Sequence, residues 1–375
     1  MNAKVCSRCV IDDSVPDISF DEHGRCNYCV EFVERVRREG LAAPEEQRLA
    51  FIERVKRGGK KLEYDCVVGL SGGVDSSYSL YLAVKSGLRP LAVHLDNGWN
   101  SELASHNIAT LVESLNVDLY THVIDWRENR DLQKSFFKAD VIDIEMLMDN
   151  AMIALNYDIA NRFGLKWILS GTNRSTEGMR MPKQWNWLKF DATNIRAIHR
   201  TFGSTPIRTH PLISVRELVV NQVLRRVRWI SFLDYFNYDK SNALDILVSE
   251  TGFKPYTHKH YESVFTRFYQ GYILPKKFGV DKRRLHLSNL VVTEQLDRSE
   301  ALEILKLSPY PSPELEQQDY DFVLKKLGFD SESFERYIKS PERSHLSFSS
   351  EKYVWDFLLK FYKAISSGRK RYFSF

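Results

Sequence analysis

The segment Leu70-Ser71-Gly72-Gly73-Val74-Asp75-Ser76-Ser77 decides how the rest of the chain is read. It follows the apolar run Asp65–Leu70, which predicts a buried strand, and leads into Asp75–Ser86, which predicts a helix ending at Gly87. Gly72 and Gly73 can adopt backbone angles denied to other residues, so successive N–H groups can point into one concavity. The helix N-terminus adds free N–H groups and partial positive charge. The hydroxyls of Ser71, Ser76 and Ser77 can donate to phosphate oxygens, and the Asp75 carboxylate can hold Mg²⁺. These residues predict a phosphate-binding loop. A Walker loop is excluded because the Gly-Lys-Ser/Thr ending is missing, and the absence of G-x-G-x-x-G weighs against a dinucleotide fold. The plain alternative is a serine-capped strand–helix turn with no ligand.

Outward from the loop the pattern alternates. Pro90–Leu95, Asp118–Ile124 and Lys166–Ser170 predict further strands, with helices near Glu102–Leu115 and over 132–163. This order predicts an α/β fold, a parallel sheet flanked by helices, with ligands beyond the carboxyl ends of the strands. Two of those ends are polar loops: Asp96-Asn97-Gly98-Trp99, suited to a nucleoside, and Ser170-Gly171-Thr172-Asn173, suited to lie near a triphosphate. Each alone is an ordinary glycine turn. Together they predict one nucleotide pocket containing Ser71, Gly72, Gly73, Asp75, Ser76, Ser77, Asp96, Asn97, Gly171 and Thr172. Beyond about residue 191 the chain reads as mostly helical, with long segments over Val215–Tyr235 and Ala243–Glu250. Residues 254–298 are rich in Lys, Arg, His, Tyr and Phe, and 311–375 read as a helical tail.

The N-terminus carries a second signature. Cys6-x2-Cys9 and Cys26-x2-Cys29 have the spacing of two knuckles around one structural zinc ion, with turn residues between them. Four protein ligands leave no open position for catalysis. An iron–sulfur cluster uses the same ligand set, and a redox dithiol needs only one pair. Cys66, inside the first strand, reads as a small buried hydrophobe. We expect four regions: a knuckle with helical linker over 1–60, a nucleotide domain over 61–200, a mostly helical region over 201–310, and a tail over 311–375.

A net charge of +4 across 375 residues is too mild to argue for a nucleic-acid partner. Met1 to Arg8 is polar with no apolar stretch behind it, and the longest apolar runs are strand-length. A cytoplasmic protein without a membrane span is expected. The aromatics Trp185, Trp187 and Phe190 suit a core better than a stacking platform.

The loop Ser71–Ser76 resembles that of the N-type ATP pyrophosphatases, which split ATP into AMP and pyrophosphate. More narrowly, the chain is similar over roughly residues 5–305 to the N-acetyl sugar amidotransferases of bacterial surface-polysaccharide and nonulosonic-acid pathways. The similarity is carried by Val5-Cys6-Ser7-Arg8-Cys9-Val10, Leu70–Ser77, Asp96–Trp99 and Lys259-His260-Tyr261-Glu262-Ser263. It continues in Phe278-Gly279-Val280-Asp281-Lys282-Arg283-Arg284 and His286-Leu287-Ser288. The chain departs from that pattern at Pro255-Tyr256-Thr257-His258, where a glycine-rich approach is expected. The resemblance implies conversion of a sugar acetamido group into an acetamidino group, with ATP and Mg²⁺. It also implies ammonia from a separate glutaminase subunit and its cyclase-like companion, both resembling the histidine-pathway pair, and makes 201–310 the substrate and ammonia side. No glutaminase nucleophile is visible in this sequence. Asp75 would hold Mg²⁺, Lys259, Lys277 and Arg283 would offset charge on the leaving pyrophosphate, and Glu262 would orient ammonia or take its proton. The other reading of the loop is a tRNA thiolase or another AMP-forming amide synthetase.

Overall fold

A computed structural model describes residues 4–256 and 262–365. Five strands, β1 (Cys66–Gly69), β2 (Pro90–Asp96), β3 (Leu119–Val123), β4 (Trp167–Ser170) and β5 (Arg228–Ser231), form one sheet in the order β3-β2-β1-β4-β5. Every neighbouring pair is parallel. The predicted α/β class holds. Among the described residues no helix is long and apolar enough to cross a membrane.

Alternation along the strands explains the layers. Successive side chains point to opposite faces of a sheet, so Val68 and Ala92 pack with Phe51, Ile52, Val55, Leu80, Ile108 and Leu111 on one face. These come from α2 (Glu45–Gly59), α3 (Val74–Lys85) and α4 (Glu102–Leu115). Val67, Leu91 and Val93 face the other way, onto Ile153, Ala154 and Tyr157 of α6 (Met146–Arg162). Burial inside β1 pushes the Cys66 thiol upward, away from thiolate chemistry.

Two expectations are corrected. The helix expected over Val215–Tyr235 stops at Leu224, and the chain turns through Arg226, at φ 57°, into the edge strand β5. Arg228-Trp229-Ile230-Ser231 is too short a run to break a helical pattern visibly; pairing with β4 decides its conformation. The stretch over 132–163 is two helices, α5 (Trp126–Lys138) and α6, separated where Asp140 takes φ 55°.

A third apolar cluster joins the two ends of the chain. The four knuckle cysteines, Tyr28 and Phe32 share it with Phe136, Phe265, Phe268, Leu285, Tyr310, Val323 and Phe334. Trp185 also belongs to this core, and Trp187 stacks on the His345 ring at 4.8 Å.

Candidate functional site

β1 is the switch point of the sheet: the chain builds β2 and β3 on one side of it, then crosses to β4 and β5 on the other. Ligands of such sheets bind at the carboxyl ends beside that point, where Ser71 emerges. Gly72 stands at φ 84°, a left-handed conformation that glycine adopts without strain. A Cβ there would also lie 3.0 Å from the Ala104 carbonyl oxygen. Gly73 is the N-cap of α3, which has no side-chain cap, so the amides of its first turn lack an intrahelical partner. Ser76 Oγ ties the turn together: it accepts from the Ser71 amide at 3.2 Å, lies 3.0 Å from Ser71 Oγ and donates to the Gly73 carbonyl at 3.1 Å. Ser77 Oγ is buried with no hydrogen-bond partner.

The other two strand ends sit as the sequence predicts, at the same edge. Gly171, after β4, touches α3 so closely that a Cβ would lie 2.6 Å from the Asp75 carbonyl carbon and the Ser76 amide nitrogen. Thr172 Oγ1 lies 2.6 Å from Ser170 Oγ and 3.0 Å from Ser231 Oγ. Asp96 and Asn97 accept from the amides of Gly98 and Trp99 at 2.8 and 2.9 Å, which fixes the turn after β2. His94 bridges this turn to the loop. Its Nδ1 donates to the Leu70 carbonyl at 2.9 Å, and its Nε2 accepts from Asn100 at 2.9 Å.

Glu262 reaches the loop by way of backbone pairing. Asn100 bridges antiparallel to Ser263, the Ser101 amide donates to the Glu262 carbonyl at 2.9 Å, and the Val264 amide donates to the Trp99 carbonyl at 3.0 Å. The carboxylate Oε1 then lies 3.6 Å from where a Gly73 Cβ would stand. Thus the residues just after β2 carry the segment that bears Glu262. Lys259 lies outside the described residues. The Lys277 side chain is fully buried, and its ammonium donates to Asp140, to the Tyr337 and Ser340 carbonyls and to Ser340 Oγ. Arg283 pairs with Asp281 and donates to the carbonyls of Ile304, Leu307 and Ser308. Among the described residues, the hydrogen bonds of these two cations run to junctions among the C-terminal helices and the turn after α5, none to the loop.

Four residues at the site escaped the sequence reading. Tyr238 donates to Asp75 Oδ1, and burial together with that carboxylate drives the phenol's pKa far upward. Tyr256 donates to the Gly72 carbonyl at 2.9 Å, its pKa pushed up to about 12 by burial. Lys326 donates to the Gly98 carbonyl with its ammonium 4.8 Å from the Trp99 and Trp126 rings, and burial lowers its pKa. Asp234 receives the Arg174 amide at 2.7 Å and guanidinium at 2.9 Å, steadying the short helix behind Thr172. None sits in a local motif; only the fold brings each to the loop.

The cysteine quartet is closed and buried. Cys6 and Cys29 sulfurs are 3.7 Å apart, Cys9 and Cys26 sulfurs 3.6 Å, and all four lie within 4.8 Å of one another. One tetrahedral zinc ion at about 2.3 Å from each thiolate sets sulfur–sulfur edges of about 3.8 Å, so the donor set fits a single ion. A cluster of several irons, its cysteines bound to different metal atoms, needs the sulfurs farther apart. Amides of Arg8, Cys9 and Cys26 donate to Cys6 Sγ at 3.1 to 3.5 Å. The knuckle is also an anchor: Arg298 donates to the Cys6 and Cys9 carbonyls at 2.8 and 3.0 Å, and Arg284 pairs with Asp12 at 2.6 Å.

A Ser-Gly-Gly turn between the central strand and its helix, with polar loops of two neighbouring strands beside it, is the arrangement of a PP-loop-like fold. Residues 47–180 match the NAD synthase family model, and residues 262–362 match that of the LPS biosynthesis protein WbpG-like, C-terminal domain. Two separate regions of the chain thus match family models, one NAD synthase-like and one WbpG-like. Among solved structures it is similar to NMN synthetase from Francisella tularensis, at 16% identity and a TM-score of 0.28, over 57% of this chain and 89% of that one. It is also similar to NH3-dependent NAD synthetase from Campylobacter jejuni, solved with nitrate, at 14% identity and a TM-score of 0.30, over 56% and 85%. No curated protein matches the chain.

Proposed function

We propose that the chain is an ATP-dependent amidotransferase of lipopolysaccharide, O-antigen or nonulosonic-acid biosynthesis that converts a sugar N-acetyl group into an acetamidino group. The observation that carries this reading is the meeting of the phosphate loop with Glu262, the first residue matched by the WbpG-like domain. An amide carbon is a poor electrophile with a poor leaving group. The acetamido oxygen therefore attacks the α-phosphorus, the α–β bridge breaks, pyrophosphate departs and the amide N–H proton is lost, leaving an O-adenylyl imidate. Ammonia then adds to the imidate carbon, a proton is lost, and AMP leaves with the former amide oxygen.

Ser71, Gly72, Gly73, Ser76 and Ser77 bind the pyrophosphate through hydroxyls and backbone amides. Gly171 and Thr172 border it, and Asp96 and Asn97 shape the turn that receives the nucleoside. Asp75 would hold Mg²⁺, which neutralises phosphate charge when bound. Glu262, beside Gly73, orients ammonia or takes its proton. Of the proposed cations, Lys259 adjoins Glu262 in sequence. Cys6, Cys9, Cys26 and Cys29 hold a structural zinc ion. Ammonia comes from a partner glutaminase with its cyclase-like companion, in the cytoplasm. Thiolation is the weaker reading, because Cys66 is buried in β1 and the other four cysteines close on one another.

The test incubates the chain with ATP, Mg²⁺, ammonium and UDP-diacetamido sugars. The expected product is lighter by about one mass unit, as NH replaces oxygen, with AMP and pyrophosphate formed alongside. Formation of ADP and phosphate would sink the mechanism.

A further inference from the structure

The helix Lys352–Ile365 has two unlike faces. Trp355 meets the Phe190 ring edge-on at 4.5 Å, and Leu358 packs on the core beneath the sheet. The opposite face leaves Tyr353, Val354, Phe357 and Phe361 exposed at 71, 54, 67 and 58%. Positions 353, 354, 357 and 361 fall on one side of a helix, and the Phe357 and Phe361 rings lie parallel at 6.5 Å. This apolar stripe is larger than scattered surface hydrophobics require.

Charge indicates what covers it. Asp356, the helix's one acid, is paired with Lys352. From Phe357 to Phe375 the sequence carries five cations (Lys360, Lys363, Arg369, Lys370, Arg371) and no acid. The same stretch has six aromatic residues. A protein interface core is depleted of lysine. An exposed aromatic stripe with a basic, acid-free continuation has the chemistry of a helix lying in an anionic lipid interface.

We propose that this helix docks the protein onto an anionic membrane surface, with Phe357 and Phe361 entering the headgroup boundary and the cations of the sequence beyond it adding electrostatic attraction. The full-length chain should co-sediment with phosphatidylcholine vesicles containing phosphatidylglycerol, not with phosphatidylcholine alone, and high salt should release it. Replacing Arg369, Lys370 and Arg371 together by Gln should weaken partitioning roughly 100-fold. A Phe357→Ser/Phe361→Ser variant should lose at least about tenfold, with an unchanged thermal melt and unchanged turnover, since both side chains are exposed and belong to none of the loops of the candidate site. Absence of binding to anionic vesicles, or binding that neither variant weakens, would overturn the proposal. So would a doubled solution mass, without vesicle binding, that the phenylalanine variant returns to that of a single chain; a second copy would then cover the face.

Discussion

Gly171→Ala tests whether the loop after β4 sets the position of the phosphate loop. The added methyl would stand 2.6 Å from the Asp75 carbonyl carbon and the Ser76 amide nitrogen, whereas ordinary contact begins near 3.4 Å. Something must therefore move by about 0.8 Å, the difference between those distances. β4 is held between β1 and β5, so the first turn of α3 is the part that gives way. Overpacking of this kind costs about 1–3 kcal/mol. A displacement approaching 1 Å at a reacting centre costs on the order of 100-fold in rate. Pyrophosphate release at saturating substrate and a thermal melt measure the two effects. Gly164→Ala supplies the comparison. Gly164 sits at φ 69° in the turn before β4, at the opposite edge of the sheet, where a Cβ would meet only Leu62 at 3.9 Å. Its left-handed backbone makes alanine cost about 1–2 kcal/mol, with turnover preserved. Gly171→Ala retaining most of its turnover, or both variants losing activity in step with stability, would refute the positioning argument.

Asp75→Asn should lower Mg²⁺-dependent pyrophosphate release by about 100-fold or more, read by a coupled phosphate assay. Lys326→Met keeps the bulk of the side chain but loses its hydrogen bond to Gly98; it should raise the KM for ATP by about tenfold with kcat little changed. Metal analysis should find one zinc per chain, and Cys9→Ser should lose it and loosen the contact with Arg298, seen as faster hydrogen exchange in 283–306. Burial pushes His210 and His345 down to about 4, so both fold neutral while the unfolded chain takes up protons below about 6.5. Their stability contribution is present above that value and is lost as the pH falls toward 4. Between pH 7 and 5 it should fall by about 2 kcal/mol per histidine, and His345→Gln should remove about half of this pH dependence in denaturant melts.

The strands β1 to β4 and the Ser71–Ser76 turn were legible because each is a local pattern: a short apolar run, then glycine and serine at a helix start. The cysteine quartet was legible from spacing alone. β5 was not, since four residues take strand form only because β4 offers them partners. Tyr238 and Lys326 meet the loops at Asp75 and Gly98 across long sequence separations, and no periodicity encodes such a meeting. The roles drawn for Lys277 and Arg283 came from family resemblance, whereas their surroundings are carboxylates and carbonyls of neighbouring helices.

The pairing of Trp99–Ser101 with Glu262–Val264 has a consequence for synthesis. Ser71 leaves the ribosome long before Glu262, with most of the sheet made in between. The knuckle, made before the loop, waits longer still for Arg298. A nascent chain can therefore form its phosphate loop while the facing carboxylate does not yet exist. The two halves of the proposed site therefore meet only after residue 264 has been made and folded back onto the turn after β2.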